Sequence, residues 1–193
     1  VQEALGMKLV KAQKYREAVP VYEFLRTIEP HQMTHVQALA WLNERLGEDE
    51  KALDAYTVLF RADPTNDHVS GRVELYYRKL RTAAEYEQFL REFLRANPLD
   101  PKPRIRLVEL HVRKDDKEAL RAELKAMTRI PEIAARLGAS PEQAQKSLWG
   151  LTLSARHIGE PGIEEHFLRQ CLQADAGTSI GKAARVRLKE MAE

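Results

Sequence analysis

The 193-residue sequence has a single cysteine, Cys171, and few aromatic residues, which make up 7% of the chain. One cysteine excludes an intramolecular disulfide and a metal site built from several cysteines. No apolar run approaches the roughly 20 residues that a membrane-spanning helix needs. An excess of one charge is also lacking, because 31 Lys and Arg stand against 29 Asp and Glu, and this balance argues against a dedicated nucleic-acid-binding protein. Gly and Pro number only 9 each, whereas hydrophobic residues reach 44%, so the composition predicts a helix-rich chain with a real core.

Three prolines divide the first half of the sequence into equal periods. Pro30, Pro64 and Pro98 fall 34 residues apart, and each closes a similar phrase of mixed apolar and charged residues. Upstream of the first two prolines, a small residue and a tyrosine recur at the same distances: Ala18 and Ala52, then Tyr22 and Tyr56. A small residue lets two helices approach closely, and proline ends a helix. The pattern therefore predicts a repeated helical hairpin.

This pattern resembles the tetratricopeptide (TPR) repeat, a 34-residue helix–turn–helix unit. Leu5-Gly6 matches the Leu-Gly pair of its first helix, whereas Glu74 and Tyr86 depart from the glycine and small-residue positions in the third repeat. The resemblance implies an all-α fold, a right-handed α-solenoid of TPR-like repeats. We expect three recognisable repeats over 1–98, two degenerate hairpins over 99–176 with an insertion near 131–140, and a capping helix or first helix of a further repeat over 177–193.

The later part of the sequence predicts further helices with legible starts. Thr82, Asp115 and Ser140 each precede an acidic or amide residue by two or three positions, as in capped helix N-termini. Val108 echoes Val73 at a spacing of 35, which predicts that the fourth helix pair is one residue out of phase. In total the sequence predicts about eleven helices and no strand. Because the chain opens without Met, we also expect a piece of a longer array.

The resemblance further implies a groove lined by the first helix of each repeat. Carrying the repeat positions across gives the candidate partner-binding residues Met7, Gln37, Trp41, Arg45, His68, Arg72, Leu75, Arg106 and Trp149, accompanied by Lys11, Lys79, Leu110, Arg113 and Lys146. Trp and Arg are enriched at binding hot spots. Two alternatives stay open: Trp149 could belong to the core, and Arg45 could simply offset the dipole of its helix.

Charge is concentrated in the middle of the chain, where residues 72–129 contain 15 basic and 10 acidic side chains. This excess favours a partner protein with an acidic or mixed peptide segment. The alternative is an anionic polymer, polysaccharide or nucleic acid, as in TPR scaffolds of bacterial exopolysaccharide export. A solvated arginine-rich surface and self-association of the chain are further interpretations.

No catalytic arrangement is visible in the sequence. His31 and His35 have the four-residue spacing of helical metal ligands, but Pro30 places His31 in a turn and no third ligand lies near. Cys171 falls at a small buried position of its repeat and is expected to be structural. We therefore expect a non-enzymatic scaffold or adaptor without a cofactor, in the cytoplasm or the periplasm, that binds a peptide segment within a larger assembly.

Overall fold

The computed structural model describes residues 1–138 and 140–193, and the described residues form twelve α-helices and no strand. The helices are α1 (Gln2–Lys11), α2 (Tyr15–Ile28), α3 (Met33–Leu46), α4 (Asp49–Ala62), α5 (Asp67–Leu80), α6 (Ala83–Ala96), α7 (Pro101–Lys114), α8 (Lys117–Met127), α9 (Ile133–Leu137), α10 (Pro141–His157), α11 (Pro161–Ala174) and α12 (Ser179–Glu190). The pairs α1/α2, α3/α4, α7/α8 and α10/α11 pack against each other, so the predicted all-α architecture of successive helical hairpins is confirmed. No helix in the described residues has both the length and the apolar character needed to cross a membrane.

The first eight helices begin at a strict 34-residue interval. The second helices of the pairs start at Tyr15, Asp49, Ala83 and Lys117, and the first helices α3, α5 and α7 keep the same spacing. The period marked by the prolines is therefore a period of helix starts, and it continues through α8. The spacing of 35 used to align Val108 is one residue too long, because Leu107 occupies the fully buried position that corresponds to Val73.

The chain divides into two compact units, Val1–Tyr86 and Glu87–Glu193, and the boundary falls in the first turn of α6. Unit 1 is built on the close approach of α1 and α2. A Cβ atom on Gly6 would lie 2.9 Å from the ring of Tyr22, and Ala18 is completely buried in the same core. The small residues and the tyrosine of the repeat thus form one contact, in which the absence of a side chain makes room for an aromatic ring.

Unit 2 is less regular, because α9 is inserted between α8 and α10. Ile133 and Leu137 of α9 are buried among the core residues of this unit, and α9 contacts both α7 and α10. The predicted insertion near 131–140 is therefore an internal packing element in its described part, while Ala139 lies outside the described residues. Cys171 is buried in the same core, and its burial raises the pKa of the thiol to about 11, as suits a structural cysteine.

Helix starts follow the local sequence as expected. The hydroxyl of Thr82 accepts a hydrogen bond from the Glu85 amide, and the Glu85 carboxylate accepts one in return from the Thr82 amide. Ser140 accepts a hydrogen bond from the Gln143 amide at the start of α10. At α8 the capping side chain is that of Asp116, one residue beyond the predicted Asp115. Each cap satisfies an amide that has no partner within its helix.

Candidate functional site

An exposed row of apolar and cationic side chains runs along the first helices of unit 1. Met7, Trp41 and Leu75 occupy equivalent positions of α1, α3 and α5, and Met7 and Leu75 are 50% and 47% exposed. Four residues further along each helix, and hence on the same side of it, stand three exposed cations, Lys11, Arg45 and Lys79. These six residues are called the first-helix face below. The exact repeat of the helices places an apolar row beside a cationic row.

Trp41 is the most firmly positioned side chain of the first-helix face. Its ring is half-buried against the core of unit 1 and packs edge-to-face with Tyr15, at 5.3 Å between ring centroids. The Arg45 guanidinium lies 5.2 Å from the centre of the Trp41 ring, a cation–π contact. Trp41 therefore combines a fixed orientation with a partly exposed surface. The alternative role of Arg45 at the dipole of α3 is compatible with this contact.

Arg72, another predicted binding residue, forms an ion pair between two first helices. Its Nη1 lies 2.7 Å from Glu44 Oε1, and the Tyr56 hydroxyl donates a hydrogen bond to Glu44 Oε2 at 2.7 Å. The Tyr56 ring stacks on Tyr76, and its burial together with the Glu44 carboxylate raises the pKa of the Tyr56 hydroxyl far above its usual value. Arg72 thus links α5 to α3 and α4, a role that its sequence position did not reveal.

The remaining predicted residues are divided between the two units. Gln37 and His68 are exposed in unit 1. In unit 2, Arg106 is half-buried with its Nη1 3.1 Å from Glu109 Oε2, and Trp149 is half-buried against the core, as its structural interpretation predicts. Leu110, placed in the groove by the misaligned spacing, is buried instead, and Glu109 takes the position that corresponds to Leu75.

The cationic middle of the sequence is extensively paired with carboxylates. Lys79 forms an ion pair with Asp49, and Arg81 donates two hydrogen bonds to Glu50, at 2.7 and 2.6 Å. Glu123, nearly inaccessible to solvent, accepts hydrogen bonds at 2.9 and 3.0 Å from two arginines of unit 2, Arg91 and Arg104. Much of the positive charge that the sequence concentrates here is therefore balanced within each unit.

Sequence reasoning missed a recess between α7 and α10. It has a volume of about 560 Å³ and belongs wholly to unit 2. Its lining residues are Ile105, Val108, Glu109, Val112 and Arg113 of α7, with Lys146, Ser147, Gly150, Leu151 and Ser154 of α10. A strict 34-residue register would have placed Ile105, Glu109 and Arg113 on the same helix face as Gly71, Leu75 and Lys79.

The two histidines with metal-ligand spacing do not converge. Nε2 of the buried His35 lies 2.7 Å from Glu29 Oε2, and His31 is exposed in the turn before α3. Across residues 1–138 and 140–193 there is no group of three or more His, Cys, Asp or Glu residues placed to hold a metal ion.

No protein-family model and no curated protein sequence matches the chain. Among solved structures, it is similar to TTC0263, a thermophilic TPR protein of Thermus thermophilus, with 16% identity, a TM-score of 0.46 and coverage of 98% of both chains. A tetratricopeptide repeat protein of Parabacteroides merdae has 16% identity and a TM-score of 0.41 over 95% of this chain and 81% of its own. PilW, a widely conserved type IV pilus biogenesis factor, has 14% identity and a TM-score of 0.42 over 98% of this chain and 91% of its own.

Two of these three structures are described as TPR proteins. At such low identity the likeness concerns the arrangement of helices. The resemblance to the TPR repeat predicted from the sequence is confirmed most directly by the chain's own helices, whose starts repeat every 34 residues through four pairs.

Proposed function

We propose that this protein is an interaction scaffold whose first-helix face binds a segment of a partner protein. The observation that carries the proposal is the exposed apolar row Met7, Trp41 and Leu75 beside the cationic row, repeated on three helices of unit 1. Large apolar side chains kept at the surface at regular spacing are typical of interaction sites. The adjacent cations favour a segment that carries acidic residues.

The contacts of Trp41 support its role as the main anchor. Tyr15 and Arg45 fix the ring before any partner arrives, so little side-chain freedom remains to be lost on binding. Trp and Arg are also the residue types that dominate binding energies at interfaces. The cations contribute more to the association rate and to specificity than to raw affinity.

The anionic-polymer alternative has weaker support. It requires a dense row of cations available to phosphates or sugar acids, whereas Arg72, Lys79 and Arg81 are engaged with carboxylates of their own unit. Polymer binding would also lose affinity steeply with added salt, and the proposed peptide binding would depend on salt only modestly.

Gly71 of α5 offers a way to block the first-helix face without unfolding the chain. It lies one turn before Leu75, and a Cβ atom added to it would meet nothing within 4 Å. We expect Gly71→Phe to fold and to obstruct the face. The residue Gly150 of unit 2 is equally open and provides the matched control, Gly150→Phe.

The test selects binders from displayed random peptides of about 16 residues on the wild-type chain, then measures their affinities by calorimetry for each variant. We expect enriched peptides with apolar and acidic residues whose affinity falls about tenfold or more in Trp41→Ala and in Gly71→Phe, and is unchanged in Gly150→Phe. Selection of no peptide sensitive to Gly71→Phe would contradict the proposal.

A further inference from the structure

The recess between α7 and α10 has the shape of a short trench. Along α7 its lining follows the positions 105, 108, 109, 112 and 113, and along α10 the positions 146, 147, 150, 151 and 154. Each row repeats every three or four residues, so each occupies one face of its helix over slightly more than two turns. At 1.5 Å rise per residue, the trench is about 12 Å long, the length of two turns of a third helix.

The floor of the trench is apolar. Val108 and Leu151 are buried at its base, Ile105 is half-buried, and Val112 is 41% exposed although it belongs to the same wall. Apolar surface of this kind gains free energy when another apolar side chain excludes water from it. The trench is open to solvent along its length, unlike the enclosed cavities that hold small ligands.

The wall formed by α10 is low. Ser147, Gly150 and Ser154 recur at spacings of three and four, and a Cβ atom on Gly150 would meet nothing within 4 Å. The Ser154 hydroxyl donates a hydrogen bond at 2.9 Å to the Gly150 carbonyl and so stays close to its own helix. Small residues at this spacing allow the backbone of a docking helix to approach closely, with its side chains in the grooves of α7 and α10.

The charged residues at the rim indicate the sign of the occupant. Arg113 and Lys146 are cations on opposite walls, and the one lining carboxylate, Glu109, already accepts a hydrogen bond from Arg106. Lys146 pairs with Glu142 at 2.7 Å, but both side chains are about two-thirds exposed, so this pair contributes little and can exchange partners.

We infer that the trench between α7 and α10 is a second docking surface, which takes an amphipathic helix of a partner protein with acidic residues flanking its apolar stripe. Two parallel helical walls, a length of two turns and a low small-residue side fit a helix in a groove. The two rim cations complement acidic flanks. This inference is independent of the first-helix face, because all lining residues belong to unit 2.

Gly150→Phe, on the full chain, tests the inference because it fills the trench from a position with open space around it. The same peptide selection is run with wild-type chain as bait and Gly71→Phe as a second bait, which removes binders of the first-helix face. We expect peptides with apolar residues spaced three and four apart and flanking Asp or Glu. Their affinity should fall about tenfold in Gly150→Phe and several-fold in Lys146→Glu, and stay unchanged in Gly162→Leu, an equally open glycine of α11.

Helical structure in the bound peptide is the second readout, since proline at its centre should abolish binding. The inference is overturned if no selected peptide loses affinity in Gly150→Phe, or if sensitive peptides tolerate the central proline and so bind in extended form. A concentration-dependent increase in mass of the wild-type chain that Gly150→Phe removes would also overturn it, because the occupant would then be a second copy. Loss of the Gly71-sensitive peptides alone concerns only the proposed function.

Discussion

Unit 1 and unit 2 hold their helices together by different means. In unit 1 the 34-residue repeat puts small residues and aromatic rings at equivalent contacts, as with Gly6 and Tyr22. Unit 2 interrupts the repeat with α9, and it contains two glutamates, Glu123 and Glu164, that are almost fully buried and each contacted by two arginines. The comparison indicates that regular packing supplies its own geometry, whereas the irregular unit uses buried ion pairs to fix helices that no longer follow the repeat.

The clearest of these ion-pair sites is at Glu164 of α11. Its Oε1 accepts hydrogen bonds from Arg156 Nε of α10 at 2.8 Å and from Arg187 Nε of α12 at 2.9 Å. Three helices thus meet at one carboxylate. Burial of a charge is unfavourable unless it is paired in this way, so the site constrains the relative positions of the helices more than it adds stability.

The largest effect is expected when this carboxylate is neutralised. Glu164→Gln leaves two guanidinium groups facing a neutral amide, and we expect it to lower the free energy of unfolding by about 2 kcal/mol, below the full penalty because both arginines reach solvent. The neighbouring Glu165→Gln, which breaks an exposed pair with Arg169, is the matched control and should cost less than about 0.5 kcal/mol. Urea unfolding measures both, and equal effects would remove the distinction between the two kinds of ion pair.

A slightly smaller effect is expected from glycines that differ in their surroundings. A Cβ atom on Gly181 of α12 would clash with the backbone of the preceding turn, including the Ala176 carbonyl carbon at 2.9 Å, so Gly181→Ala should destabilise by about 1–2 kcal/mol. Gly71→Ala in unit 1 meets no atom and should stabilise α5 by up to about 1 kcal/mol. Opposite signs in thermal unfolding support this account, and a stabilising Gly181→Ala would contradict it.

The smallest effect concerns acid. Burial opposes ionisation of Glu164, but the hydrogen bonds from Arg187 and Arg156 outweigh it and hold the pKa of this carboxyl below its usual value. A lowered folded-state pKa stabilises the protein above the unfolded-state value of about 4.3, and that contribution is lost as the pH falls. The stability difference between wild type and Glu164→Gln should therefore shrink from about pH 6 to about pH 3. A constant difference in urea unfolding across this range would show that Glu164 is not the titrating group.

The regular part of the fold could be predicted from the sequence because its cause is local and periodic. Three prolines and the recurrent small residues fixed the interval at which helices start, and Thr82 and Ser140 marked two of those starts. The apolar positions Met7, Trp41 and Leu75 followed from the same interval. Their use in binding remains a prediction.

The irregular part could not be predicted in this way. A spacing error of one residue at Val108 placed the buried Leu110 in the groove and hid the trench, since one step rotates a helix face by about 100°. The partners of Glu123 lie 19 and 32 residues away in the sequence, and no local pattern pairs a carboxylate with such distant arginines. Arg72 illustrates the same limit, because only the structure shows that Glu44 neutralises it.

The most direct test of the first-helix face uses the two tryptophans of the chain as internal reporters. In a ¹H–¹⁵N spectrum each indole N–H gives its own signal, one from Trp41 in unit 1 and one from Trp149 in unit 2, which Trp149→Phe assigns. A peptide selected on the chain and sensitive to Gly71→Phe is then titrated in. The account predicts that the Trp41 indole signal shifts with the binding curve while the Trp149 signal stays in place. A bound peptide that leaves the Trp41 signal unmoved would contradict the proposed role of this face.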